Sequence, residues 1–271
     1  MTDSLKVLLL AAGRGERLRP YTDSWPKCLM PIGGQPLLSF WLEAIHKLGD
    51  NMILVNLHYL SEIVDGFLNR PAYRGWVQPV YEPELLGTAG TLRKNSETLR
   101  NSTILLVHAD NLCHCDLSEF LKYHQKCRPD YCSITMMTFQ SQDPSACGIV
   151  ELDDNGVVIA FHEKIKDPPG NLANGAVYLL EPHVLEWIND RPEVTDFSTQ
   201  VLPHFIGKIA TWKNNEVHID IGSFEALKLA QAAANLGATK VDFLDDEWSQ
   251  KFLFHPIHKL LNLELNNVRI V

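Results

Sequence analysis

Short apolar runs alternate with segments of helical period through the first half of the chain. That alternation restricts the folds open to it more than any other feature. Lys6–Ala12, Met52–Leu57, Trp76–Tyr81 and Thr103–His108 are strand candidates. Between them, Leu37–Leu48 has apolar residues at 37, 38, 41, 42, 45 and 48, a helical stripe ended by Gly49. Glu62–Asn69, Thr91–Leu99 and Leu117–Lys126 read as further helices. Parallel strands joined through crossover helices follow from this order. The expected fold class is α/β, a Rossmann-like, mixed but mainly parallel sheet flanked by helices.

The second half changes character and adds antiparallel hairpins. Cys132–Phe139 reads as a strand, and Gly148–Leu152 and Val157–Phe161 flank Asp154-Asn155-Gly156, a strong hairpin signal. Ala173–Leu180 is another strand candidate, followed by helices at His183–Asn189 and Ser198–Phe205. Ile209–Lys213 and Glu216–Ile219 suggest a second hairpin around Asn214-Asn215, and Ser223–Leu236 is a helix rich in alanine and leucine. No low-complexity linker separates the halves, so residues 1–238 read as one continuous domain. Residues 239–271 form a C-terminal extension whose Phe243, Phe252, Leu253, Phe254, Leu260, Leu261 and Leu263 make it too apolar for a free tail. It is expected to pack on the domain or on a partner subunit of a homo-oligomer.

Totals narrow the function. A formal net charge of −9 over 271 residues argues against nucleic acid and anionic membranes as partners, since phosphate surfaces attract basic faces. No apolar run approaches the roughly 20 residues that span a bilayer. The run Val7 to Ala12 leads into glycines and charge, which reads as a buried strand rather than a signal peptide. Six cysteines in this length are no disulfide scaffold, and Cys113-His114-Cys115 lacks the second ligand pair of a zinc site. The expected location is cytoplasmic.

Within this acidic chain, LLLAAGRGERLRPYTDSWPK gathers Arg14, Arg17, Arg19 and Lys27 beside two glycines. A strand ending at Leu10, Ala11, Ala12 and Gly13 delivers backbone into a tight loop where side chains would obstruct a ligand. Gly13 and Gly15 let N–H groups converge on an anion. Arg17 offers a planar fork and Lys27 a point charge to phosphate oxygens. Pro20 and Pro26 stiffen the loop. The dinucleotide fingerprint fails because its third glycine position is Leu18, and no P-loop is present.

The whole run, Gly13-x-Gly15-x-Arg17 with Pro20, Thr22 and Pro26-Lys27, resembles the signature of the sugar-1-phosphate nucleotidyltransferases. Cys28 and Trp25 depart from the usual pattern without removing a charged group. The resemblance covers roughly residues 5–235 and makes 1–238 the catalytic domain. It implies an NTP and a sugar 1-phosphate as partners, Mg²⁺ as cofactor, and Arg17 and Lys27 as catalytic residues. Leu10, Ala11, Ala12, Gly13, Gly15, Gly87, Thr88 and Ala89 would then bind the nucleotide. Alone, Gly87-Thr88-Ala89-Gly90 could be any strand-to-helix turn. In the family this loop recognises the base, and backbone amides at the helix start would serve it.

Asp110 closes the apolar strand ILLVHADN, where parallel sheets bind ligands, and Asp220 follows a short strand in HIDIG. The resemblance makes them the two metal-binding aspartates, and two carboxylates suit Mg²⁺. Gly148, Glu163, Lys164, Asn174 and Tyr178 would hold the sugar phosphate. The form E-x-x-L-G-T-A-G at Glu82 to Gly90 looks most like that of mannose-1-phosphate guanylyltransferases and related heptose-phosphate enzymes, implying GTP and mannose 1-phosphate. Glucose, heptose or N-acetylmuramate phosphates with GTP, UTP or dTTP stay open, as does a cytidylyltransferase for a non-sugar phosphate. A non-catalytic nucleotide-sugar sensor ranks lower, because the lysine and both aspartates are present.

Overall fold

The computed structural model describes residues 4–49, 51–234 and 246–267, with side chains through residue 262. In chain order, β1 (Leu5–Leu10) leads through the short hairpin β2 (Pro31–Ile32) and β3 (Gln35–Pro36) to α1 (Leu37–His46). Then come β4 (Met52–Leu57), α2 (Ser61–Leu68), β5 (Val77–Tyr81), α3 (Thr88–Lys94) and α4 (Ser96–Leu99). Next are β6 (Thr103–His108), β7 (Asn111–Cys113), α5 (Leu117–Lys126), β8 (Ile134–Gln140), β9 (Gly148–Leu152) and β10 (Val158–Glu163). The chain continues with β11 (Leu172–Leu180), α6 (Pro182–Asn189), α7 (Leu202–His204), β12 (Ile209–Lys213) and β13 (His218–Asp220). Helices α8 (Phe224–Ala234), α9 (Glu247–Leu253) and α10 (Pro256–Asn267) follow.

Seven strands lie in the order β5-β4-β1-β6-β11-β8-β12, with the β9–β10 hairpin attached to β11 through Ala173 and Ile149. The first four run parallel; β11 is antiparallel to both β6 and β8, and β12 is parallel to β8. This is the mixed, helix-flanked sheet that the alternation implied. Successive side chains of a strand face opposite sides. Val7 and Leu9 of β1 therefore enter a core with α1, α2, α5, α8, α9 and α10, while Leu8 enters a second core with α3 and α6. Burial on both faces explains why β1, β4 and β6 read as unbroken apolar runs. Strand order reverses between β1 and β6, which opens a crevice beyond their carboxyl ends.

Two local expectations change. The helix expected from Thr91 begins at Thr88, because Gly87 turns the chain at φ 75°. The hairpin expected around Asn214-Asn215 does not form: β12 joins β8, and β13 joins β7 in a separate two-stranded ladder. Asn214 explains it. Its N–H donates to the Thr138 carbonyl at 2.7 Å and its amide to the His114 carbonyl at 3.0 Å. A buried residue bonded to both neighbours, by backbone on one side and side chain on the other, carries the chain from one ladder to the other rather than folding it back. The last two residues of the helix expected at Ser223–Leu236, the boundary at 238, and Val241 and Phe243 lie outside the described residues. Among the described residues no helix is long and apolar enough to cross a membrane.

Candidate active site

The loop after β1 has little regular structure, only 3₁₀ turns at Glu16–Leu18, Tyr21–Asp23 and Lys27–Leu29. Tight contacts set its course instead. Gly15 has φ +64°, and a Cβ there would lie 2.8 Å from Thr22 Cγ2 and 3.1 Å from Lys27 Cβ. No side chain larger than hydrogen fits between those groups. Pro26 is extended, and Trp25 Nε1 donates to the Leu29 carbonyl at 2.8 Å, closing the turn that starts at Lys27. Leu10, Gly13, Gly15, Arg17, Lys27 and Asp110 line a cavity of about 320 Å³ at the crevice.

Lys27 is the hub. Its Nζ donates to Asp110 Oδ2 at 2.7 Å and to Asp220 Oδ1 at 2.9 Å, while its own side chain is 7% exposed. Arg17 Nη2 adds a longer contact of 3.4 Å to Asp220 Oδ2. Gly222 makes room for that arrangement, since a Cβ there would stand 2.5 Å from Arg17 Nη2. Burial pulls the Lys27 ammonium's pKa down, but Asp110 and Asp220 outweigh it and leave it raised. Burial likewise pushes the Asp110 carboxyl up, and Lys27 with His108 and hydrogen bonds outweighs it, holding it low. Two carboxylates a few ångströms apart would repel by roughly 4 kcal/mol at an effective dielectric near 20. The Lys27 ammonium between them offsets that cost, and two hard carboxylates at strand ends are also a donor set that suits a divalent ion.

The base side is more tightly wired than the sequence suggested. Ala11 N–H donates to Asn56 Oδ1 at 2.7 Å. Asn56 Nδ2 donates to Glu82 Oε1 at 3.2 Å, and Thr91 Oγ1 donates to the same oxygen at 2.7 Å. Glu82 is fully buried, and its Oε2 has no partner among the described residues. The helix-start amides of Ala89 and Gly90 are taken by the Thr195 carbonyl, at 2.9 and 3.4 Å. Thr88 Oγ1 accepts from Phe197 N–H at 2.6 Å, and a Cβ on Gly87 would strike Thr195. The amides expected to serve the base are thus partly spent on Thr195.

The sugar-side candidates lie apart from the cavity lining. Gly148 faces Glu163 across the β9–β10 ladder, and a Cβ on it would meet Glu163 Oε2 and Phe161 Cζ, each at 2.7 Å. Lys164 is exposed and lies 3.4 Å from Glu163. Tyr178 is fully buried, and its hydroxyl accepts from Asn174 Nδ2 at 2.7 Å. Asn111 Nδ2 donates to the Gly175 carbonyl at 3.3 Å, tying this strand to the turn that carries Asp110.

The Nucleotidyl transferase family profile matches residues 6–236, from the first residues of β1 past α8. The chain belongs to that family. It is 32% identical over 195 residues to a mannose-1-phosphate guanylyltransferase from Mycobacterium tuberculosis, covering 72% of this chain and 54% of the relative. A UTP–glucose-1-phosphate uridylyltransferase from Synechocystis is 30% identical over 217 residues, covering 74% and 55%. The chain spans about half the length of these curated relatives. Among solved structures, a putative glucose-1-phosphate thymidylyltransferase from Bacillus anthracis superposes with a TM-score of 0.73 at 21% identity, over 91% of this chain and 99% of that one. HddC from Yersinia pseudotuberculosis, complexed with GMP-PN, gives 0.70 at 23%, over 84% and 98%. Both show the nucleotidyl transferase fold.

Around this candidate site, the sequence alone did not point to Asn56, Thr91 or His108. Asn56 had a signal, a lone amide inside the buried run MILVNL, where an unpaired polar group is costly. His108 Nε2 is shielded and without a partner among the described residues, and burial lowers its pKa against the pull of Asp110 and Asp220.

Proposed function

We propose that this nucleotidyl transferase moves a nucleotidyl group from GTP to mannose 1-phosphate, giving a nucleotide sugar and pyrophosphate. The observation that carries the reading is Lys27 bridging Asp110 and Asp220 beside the glycine loop. The sugar phosphate oxygen attacks the α-phosphorus in line, and it is already ionised at neutral pH. No general base is needed; the obstacle is charge. Arg17 and Lys27 face the phosphates of the NTP and stabilise the leaving pyrophosphate. Lys164, exposed on the sugar side, meets the attacking phosphate. Asp110 and Asp220 would hold Mg²⁺, whose Lewis acidity offsets the repulsion between the two polyanions.

Glu82 is the acceptor that would favour guanine, through Oε2, the oxygen that Asn56 and Thr91 leave free. A carboxylate is acceptor-only, and guanine offers adjacent N–H donors on one edge. Uracil presents one N–H between two carbonyls, which a carboxylate matches poorly. Because Glu82 is buried, a base reaches Oε2 only by displacing what covers it. The test is pyrophosphate release over four NTPs with mannose, glucose, heptose and amino-sugar 1-phosphates. Highest kcat/KM with GTP and mannose 1-phosphate is expected. Silence across every pair would remove the transferase reading.

A further inference from the structure

We propose that α9 and the residues leading into α10 form the back wall of the site, with Trp25 as the positioning residue through which they hold Lys27. This rests on the reading of Lys27 as the residue that meets the NTP. Trp25 stands two residues before Lys27 and is 3% exposed. Its ring lies 4.4 Å from that of His255, 5.8 Å from Phe252 and 6.0 Å from Trp248, all from the C-terminal segment. That segment is itself anchored. Arg70 Nε donates to Asp246 Oδ2 at 2.7 Å and Nη2 to Ser249 Oγ at 2.8 Å, beyond α2. Trp248 Nε1 donates to the Ile63 carbonyl at 3.1 Å, and its ring stacks on Phe252 at 5.3 Å.

The loop that carries Lys27 has no strand or α-helix of its own to fix it, so packing must. Gly15 leaves no room for a side chain beside Lys27, and Trp25 is packed by rings from behind. An ammonium that must sit within hydrogen-bond reach of two carboxylates tolerates little displacement, and misplacement by about 1 Å can cost on the order of a hundredfold in rate. Trp25 is one of the two departures from the family pattern, with Cys28. Its large ring now has a use: it reaches the wall.

The test is a double-mutant cycle on binding. GTP affinity with Mg²⁺ is measured by calorimetry for wild type, Trp25→Leu, Lys27→Ala and the double variant, with inorganic triphosphate as a base-independent probe. Trp25→Leu should weaken binding about tenfold and lower kcat by tenfold to a hundredfold, whereas Trp25→Phe stays near wild type. In the Lys27→Ala background, Trp25→Leu should add nothing, because its effect passes through Lys27. Multiplying effects would overturn the proposal. So would a Trp25→Leu protein that melts earlier but keeps wild-type affinity and kcat. If Trp25→Leu does not fold, Phe252→Leu is read the same way, since it touches Trp25 from α9. A wild type that binds triphosphate yet releases no pyrophosphate removes the transferase reading, while the binding cycle still decides the role of Trp25.

Discussion

Asp220 lies directly across from Asn111 in the ladder of β13 on β7, so its carboxylate arrives beside that of Asp110. Two acids far apart in sequence thereby share one ammonium, that of Lys27. The short ladder exists because the chain leaves β12 at Asn214 instead of turning back. Site assembly therefore depends on a strand pairing that looks incidental to the main sheet.

Removing either side of this contact should stop turnover. Lys27→Ala and Asp110→Asn are each expected to lower kcat by at least about 10²–10³, the usual loss when a preorganised charge contact disappears. Circular dichroism should show the fold retained. EDTA should abolish the residual and the wild-type rate, with recovery on adding Mg²⁺. A folded Asp110→Asn protein of unchanged kcat would remove Asp110 from the chemistry.

Gly148→Ala tests the sugar side. Its new methyl would intrude on Glu163 Oε2 and the Phe161 ring at 2.7 Å, so Glu163 must move. A roughly tenfold rise in KM for the sugar phosphate is expected, with KM for GTP unchanged, read from initial rates with each substrate varied. Overpacking of this kind also costs about 1–3 kcal/mol of stability, visible in the melt.

Glu82→Gln tests the base. The swap keeps shape and replaces an acceptor pair with one acceptor and one donor. The ratio of kcat/KM for GTP to that for UTP should fall by tenfold or more, since a site built to hydrogen-bond one edge rejects another strongly. An unchanged ratio would leave Glu82 as an anchor of Asn56 and Thr91 only.

Stability should fall as the solution turns mildly acidic. Burial, reinforced by Arg128, holds His124 at about 3 in the folded chain. Glu181 lies 3.2 Å from its Nε2 but is already engaged by Arg128, so it does not restore the charge. Unfolded, the ring titrates near 6.5. Below that pH the unfolded chain therefore binds a proton that the folded chain refuses, and stability drops by up to about 1.4 kcal/mol per pH unit until the folded pKa is reached. Urea melts between pH 6.5 and 4.5 should show this slope. His124→Gln should flatten it by one proton's worth, and an unaltered slope would sink the assignment.

Most of the sheet was legible because its strands are buried on both faces and read as unbroken apolar runs. The Lys27 loop and both aspartates were legible because special backbone and strand-end charge leave marks in local sequence. The network from Ala11 through Asn56 and Glu82 to Thr91 was not. Its members come from four separate segments, and only packing makes Glu82 and Thr91 neighbours. The pairing of β13 was misread for a related reason. Two strand-like segments around Asn-Asn look the same whether the asparagine turns outward or, as Asn214 does, bonds inward to His114 and Thr138.

The contact of Trp25 with His255 joins residues near opposite ends of the described chain. During synthesis from the N-terminus, the glycine loop emerges long before the helices that pack behind it. Closing so long a loop is entropically slow, and the cost comes before the contact repays it. A nascent or truncated chain without α9 lacks the rings that pack behind Trp25. The packing behind Lys27 therefore waits for the last helices, although Lys27 itself is made among the first residues.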